Sequence, residues 1–352
     1  MSNIIITADI HFGLAKKLDD ILWSVRHIRE YAKINDVEIV CVLGDLFHDR
    51  ENINIEVLNA VYLFLAETKN VYGQQWVLFP GNHDLYMRNT WDINSLHFLN
   101  DVATIVEEVK LINILNSRFW IVPFIHFESV YMKIVEAVEE LYEDKDVLLT
   151  HIGVHNATLN ECYMLKNWST VNFDNSKFDI VFAGHFHCKQ KVGDNVWYPG
   201  SPIPFRFDEG MVSHGFIEYD LDSRKIKFID LFELDLIEGP KPPGYITLTD
   251  DMLDCDIELD GDNVRIQLNR EYSKDELFRI RESFSKRGVS SIKFMKMKEE
   301  KIDLDDRQSK SDLSLNSPLD LFDKWLKHDQ PKKLNIEFLQ KLNEEVVNGN
   351  SR

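Results

Sequence analysis

Residues 75–84 read QWVLFPGNHD, and the fold turns on this stretch. Gln75–Phe79 is a short apolar run with a β-branched and an aromatic residue, the composition of a buried strand. Pro80 and Gly81 stop it, and Asn82, His83 and Asp84 follow at once. The same arrangement recurs on both sides. Upstream, Asn3–Ala8 (NIIITA) leads into Asp9-Ile10-His11, and Glu38–Leu43 (EIVCVL) leads into Gly44-Asp45. Downstream, Asp146–Thr150 (DVLLT) leads into His151, and Phe178–Phe182 (FDIVF) leads into Gly184-His185-Phe186-His187. Leu18–Lys33 and Ile55–Glu67 carry apolar residues at helical spacing. A β-α-β-α-β order predicts a mainly parallel sheet with helices on its faces. Ligands bind where the carboxyl ends of such strands converge, so five separated polar clusters are expected to meet in one place.

The middle of the chain is richer in strands. Val102–Leu115 and Arg118–Pro123 read as hairpin material, Val130–Tyr142 as a helix, and Asn195–Tyr198, Gly215–Tyr219 and Lys225–Phe232 as further strands. The fold class expected is α/β, a layered sandwich of two sheets flanked by helices, over residues 1–235. A Pro/Gly-rich stretch, LIEGPKPPG at 236–244, marks a boundary. Beyond it, Val264–Leu268, Lys274–Arg287 and Ser291–Met295 suggest a small α+β unit over 236–297. A charged linker (298–316) and two short amphipathic helices (317–352) follow. The leucines and aromatics of those helices, such as Leu321, Trp325, Phe338 and Leu342, suit docking on a partner helix.

The chain has 352 residues, room for roughly two or three domains. Its hydrophobic fraction of 44% excludes global disorder. No basic segment precedes a long apolar run at the start, so no secretory signal is expected, and no stretch reaches the ~18–20 apolar residues of a spanning helix. Cys41, Cys162, Cys188 and Cys255 form no C-x-x-C pair and read as reduced thiols of a cytoplasmic protein. The net charge of −19 argues against a broad basic surface. A nucleic-acid enzyme of this composition needs bound cations or a partner to offset its acidity.

Carboxylates, imidazoles and one amide are donors for borderline divalent metals. A shared aspartate can bridge two such ions about 3.5–4 Å apart, and the pair activates water for attack on phosphorus. Each motif alone has an ordinary reading: Asp9 as a helix cap, Gly44-Asp45 as a turn, His185 and His187 as a polar strand end. All five in order, each after a strand, leave that reading improbable.

The order DIH, GD, GNHD, H and GHFH resembles the calcineurin-like metallophosphoesterase superfamily over about the first two-thirds of the chain. Gly44-Asp45-Leu46-Phe47-His48 and Tyr198-Pro199-Gly200-Ser201 are similar to the SbcD-type DNA nucleases, including phage recombination subunits. The resemblance implies one metal on Asp9, His11, Asp45 and His187 and another on Asp45, Asn82, His151 and His185, with Asp45 as the bridge and Mn²⁺ as the working ion. It implies that His83 protonates or stabilises the leaving oxygen, that Asp84 orients His83 by accepting its other ring proton, and that His48 meets the phosphate from the opposite side. It further implies 3′→5′ exonuclease and single-strand endonuclease activity on DNA, an SbcC-like SMC-family ATPase partner, a homodimer with Leu85–Phe98 as a candidate surface, and a cytoplasmic location (the host's, for a phage protein). Arg206 is open between a DNA phosphate contact and a surface salt bridge, and His155 is expected to be solvated. Two rival readings stand beside this one: a phosphatase or nucleotide phosphodiesterase of the same superfamily, and a non-catalytic scaffold.

Overall fold

The first strand sets the layer order. In β1 (Asn3–Thr7) Ile4 and Ile6 join one buried cluster and Ile5 joins another, as the period-two geometry of a strand requires. The computed structural model describes residues 2–296 apart from 15–16, 89, 161–162, 165–168, 170, 211 and 255–256. After β1 come α1 (Leu18–Ile34), β2 (Ile39–Leu43), α2 (Ile55–Asn70), β3 (Gln75–Phe79) and β4 (Thr104–Ile105). Next are β5 (Lys110–Ile114), β6 (Ser117–Val122), α3 (Glu128–Glu139), β7 (Val147–His151), and a small pair, β8 (Thr158–Asn160) with β9 (Tyr163–Met164). Then follow β10 (Val181–Gly184), β11 (Gln190–Val192), β12 (Val196–Tyr198), β13 (Gly215–Asp220) and β14 (Ile226–Asp230).

These strands build two six-stranded sheets, ordered β14-β13-β1-β2-β3-β4 and β11-β12-β10-β7-β6-β5. Both have parallel runs, β1 to β4 in one and β12-β10-β7-β6 in the other, with antiparallel strands at one edge of the first sheet and both edges of the second. Ile4, Ile6, Cys41, Leu43 and Phe79 of the first sheet share a core with Phe119, Ile121, Leu149 and Phe182 of the second. Ile5, Val40, Val42 and Leu78 turn outward onto α1 and α2. Leu148, Val181 and Ala183 turn outward onto α3. The result is the expected α/β sandwich of two sheets flanked by helices.

Two local readings move. β10 begins at Val181, three residues later than the FDIVF run suggested, and pairs Gly184 with His151 of β7. That register carries the strand to the edge where His185 is needed. The 102–115 stretch divides between sheets: β4 extends the first, and β5 forms a hairpin with β6.

A third sheet of parallel strands, β15 (Tyr245–Thr249), β16 (Asn263–Leu268) and β17 (Ser291–Lys296), has α4 (Lys274–Lys286) as the crossover between its last two strands. Ser273 and Glu276 start α4 with a reciprocal capping box. Leu248, Leu259, Val264, Ile266, Leu268 and Phe284 form its own core. The linker and terminal helices expected over 298–352 lie outside the described residues, as do Cys162, Cys255 and His328. Among the described residues, no helix is long and apolar enough to cross a membrane.

Leu149 lies fully buried between the two large sheets. Leu149→Ala should destabilise the fold by about 2–5 kcal/mol, seen as a lower urea midpoint with an unchanged slope.

Candidate metal centre

The two sheets present the carboxyl ends of their central strands on the same edge, and hydrogen bonds across the sandwich lock them there. The Nδ1 of His151, last residue of β7, lies 2.7 Å from the carbonyl of Leu43, last residue of β2. The backbone N–H of His185, just past β10, donates to both oxygens of Asp9, just past β1, at 3.1 and 3.0 Å. Asp9 and His11 in turn donate their backbone N–H groups to the carbonyls of Gly44 and Asp45.

The backbone is strained where the donors sit. Asp9, His11, Asp45 and His185 have φ of +53°, +54°, +53° and +108°, a region that costs non-glycine residues on the order of 1–3 kcal/mol each. The surrounding bonds hold them there. Two glycines permit the crowding: a Cβ on Gly44 would strike His151 Nδ1, and one on Gly81 would strike the Asp45 carboxylate.

All seven residues expected as metal ligands come together. The Nε2 atoms of His11 and His187 are 3.0 Å apart. Asn82 Oδ1 lies 3.1 Å from His151 Nε2 and 2.9 Å from His185 Nδ1. Two ligand atoms each about 2.1 Å from one ion and at right angles are about 3.0 Å apart, so these spacings fit a divalent cation. Asp45 Oδ2 lies 3.8 Å from His11 Nε2 and 3.4 Å from His151 Nε2, between the two groups. Its other oxygen accepts the backbone N–H of His83 at 2.8 Å. Asp9, Asp45 and His151 also lie within ligand distance of one another.

The ring partners fix which nitrogen is free. His151 gives its Nδ1–H to the Leu43 carbonyl, and His187 places Nδ1 2.9 Å from Oε1 of Glu209. Each then points Nε2 inward as the ligand atom. Burial drives the His185 pKa down to about 3, keeping its ring neutral. Burial likewise lifts Asp9 to about 6. Burial would raise Asp45, but the adjacent His151 overrides it and holds the carboxylate well below its usual range. Burial would lower His151, yet Asp45 and Asp9 win and raise it to about 9.

Two expectations are corrected. The ring proton of His83 does not go to Asp84: His83 Nδ1 lies 2.6 Å from the backbone carbonyl of His48. Asp84 is 1% exposed and accepts from the backbone N–H groups of Leu46, Phe47 and Gly81 and from Ser95 Oγ. It fastens the loop after β2 to the loop after β3, and burial beside Asp45 lifts its pKa to about 7. His48 stacks beside His83, with ring centroids 5.3 Å apart and 14° between planes. Its Nδ1 is 3.4 Å from Nδ1 of His11. His155 is not simply solvated: it bonds the backbone carbonyl of Ser169. Arg206 resolves as an exposed salt bridge to Glu209 and Asp208.

Sequence reading missed Glu209. It is buried, 22 residues beyond its histidine, and belongs to no motif that flags it. The YPGS motif has a structural role in the same place: Ser201 N–H donates to the His187 carbonyl, and Ser201 Oγ lies 3.2 Å from Nδ1 of the buried His214. His27 is also buried and bonds the Trp23 carbonyl, while His97 pairs with Glu107.

The profile of the family described as calcineurin-like phosphoesterase matches residues 2–189, more than half of the chain, and the chain belongs to that family. The family uses divalent metals, and the donor set above fits them. The chain is 24% identical over 181 residues to "Putative phosphoesterase 244L" of Invertebrate iridescent virus 6, covering 50% of this chain and 61% of that protein. It is 26% identical over 218 residues to "Putative phosphoesterase 078R" of Invertebrate iridescent virus 3, covering 59% and 60%. The chain therefore spans about three-fifths of the length of these curated relatives. A solved structure, the protein of unknown function AQ665 from Aquifex aeolicus, aligns at 15% identity over 55% of this chain and 83% of that one with a TM-score of 0.28, too slight a likeness to support an argument.

Ligands must shed protons to bind metal. With His151 protonated up to about pH 9 and Asp9 up to about pH 6, and His187 also raised by Glu209, metal binding at pH 7.5 should release at least the proton of His151. The release should vanish above pH 9, and affinity should fall as pH drops below about 9 and more steeply below 6. Calorimetry in buffers of different ionisation enthalpy measures both. Asp84→Asn replaces one acceptor by a donor facing backbone N–H groups, and should lower the melting temperature of the metal-free protein by an amount equivalent to about 1–3 kcal/mol.

Proposed function

We propose that this chain is a metal-dependent DNA nuclease, with 3′→5′ exonuclease and single-strand endonuclease activity, that works with an SbcC-like SMC-family ATPase. The observation that carries the reading is the stacked His48–His83 pair beside the metal ligands. A phosphodiester must expel an alkoxide, and an imidazole able to deliver a proton there lowers that barrier. His83 has Nδ1 anchored on the His48 carbonyl, which leaves Nε2 as the atom for the leaving oxygen. His48 lies parallel to it and so offers a second imidazole to the same diester.

In this reading Asp9, His11, Asp45 and His187 would hold one divalent ion and Asp45, Asn82, His151 and His185 the other, with Mn²⁺ the working metal. Such ions, when bound, neutralise the phosphate oxygens and make water nucleophilic. The protein's part is to hold seven donors at fixed spacing, to fix which ring nitrogens of His151 and His187 face inward, and to aim His83.

Against a whole-chain net charge of −19, residues 262–296 carry nine Lys and Arg and five Asp and Glu, a local excess of +4. The whole third-sheet region, 245–296, carries nine Lys and Arg against eleven Asp and Glu, so phosphate contacts by the proposed 236–297 cap are assigned to its 262–296 part alone. The 317–352 segment is proposed to dock on the ATPase after the 298–316 linker. A homodimer is proposed through Leu85–Phe98, where Tyr86, Ile93 and Phe98 are exposed.

End-labelled duplex DNA incubated with Mn²⁺ tests the proposal. The wild type should shorten it, EDTA should abolish the reaction, and His83→Ala should slow it by about 10²–10⁴-fold. Hydrolysis of a small chromogenic diester with intact DNA, even with the ATPase present, would instead favour a phosphatase or nucleotide phosphodiesterase.

A further inference from the structure

We propose that Glu209 is a positioning residue for one of the two metal ions, the one assigned to Asp9, His11, Asp45 and His187, and that it makes this the tighter of the two sites. The inference rests on the two-metal reading above.

Glu209 is 1% exposed, and both of its oxygens are engaged. Oε1 lies 2.9 Å from His187 Nδ1, and Oε2 accepts the Phe205 backbone N–H at 2.8 Å. The carboxylate cannot turn without breaking one of these bonds. Its own backbone is fixed as well: the N–H donates to the Arg206 carbonyl and the carbonyl accepts from His214 Nε2 at 2.8 Å. The Phe205 ring meets His11 and His187 edge-on, with centroids 5.6 Å from each. The segment 205–209 is thus an outer wall that sets the rotation of His187 and places its Nε2 3.0 Å from that of His11.

Among the described residues, no carboxylate matches Glu209 at the Nδ1 of the other set's buried ring, His151. His151 gives its Nδ1–H to a neutral acceptor, the Leu43 carbonyl. An anionic acceptor raises the basicity of the ligating nitrogen more than a peptide carbonyl does, because it stabilises the positive charge the ring takes up on binding. The geometry therefore makes the two ions unequal. Arg206 shares Oε1 at 3.1 Å from an exposed position and adds little.

The test is Mn²⁺ titration by calorimetry of the full chain, wild type against Glu209→Gln and Glu209→Asp, each also melted in EDTA. Wild type should show two classes of site. Glu209→Gln keeps the size but turns one acceptor into a donor, and should weaken the tighter class about 10- to 100-fold while the weaker class is unchanged. Glu209→Asp, which keeps the charge at longer reach, should fall between. Two classes retained at wild-type affinity in Glu209→Gln would overturn the role of Glu209 and leave the two-metal reading intact. Loss of the EDTA melt in both variants would make the residue a prop of the loop alone and overturn it too. A wild type that binds no Mn²⁺ would overturn the two-metal reading and this inference with it.

Discussion

The hydrogen bond from His151 to the Leu43 carbonyl, 2.7 Å long and fully buried, joins the two sheets at the edge where the chemistry is assembled. It holds β7 against β2 so that donors from different sheets face one another. It also fixes the tautomer of His151 and so turns the second nitrogen towards Asp45 and Asn82. A buried N–H without an acceptor costs free energy, so the bond enforces the alignment of the sandwich as well as using it. The glycines after β2 and β3 leave the space in which this crossing happens.

The site is a concentration of like groups that the fold holds together at a cost. Carboxylates and imidazoles are crowded out of water, and their protonation has shifted in opposite directions: Asp9 upward and His185 downward through burial, Asp45 downward because His151 offsets its burial. Four donors or their neighbours sit in left-handed backbone. Strain and desolvation in one place mark a site built to take up positive charge, and divalent ions relieve both the repulsion and the burial penalty.

Much of this was legible in the sequence. Strand runs ending in polar motifs located β1, β2, β3, β7 and β10 and the edge on which Asp9, His11, Asp45, Asn82, His151, His185 and His187 meet. What the sequence could not show were relations set by tertiary register. Asp84 follows His83 directly and reads as its partner, yet its side chain turns back to the N–H of Gly81 in its own loop and to those of Leu46 and Phe47, which only the loop after β2 supplies. Glu209 is invisible for the same reason: its contact with His187 spans 22 residues and depends on a loop folded by Ser201 and His214. The FDIVF run gave the right strand with the wrong start, because pairing with β7, not apolar content, decides where β10 begins.

The central claim is that the cluster holds two ions bridged by Asp45. Crystals soaked in Mn²⁺ and measured at the manganese absorption edge test it directly. The account predicts two anomalous peaks about 3.5–4 Å apart, with Asp45 Oδ2 between them, one peak beside His11 and His187 and the other beside Asn82, His151 and His185. A single peak, or peaks that lie away from Asp45, would contradict it.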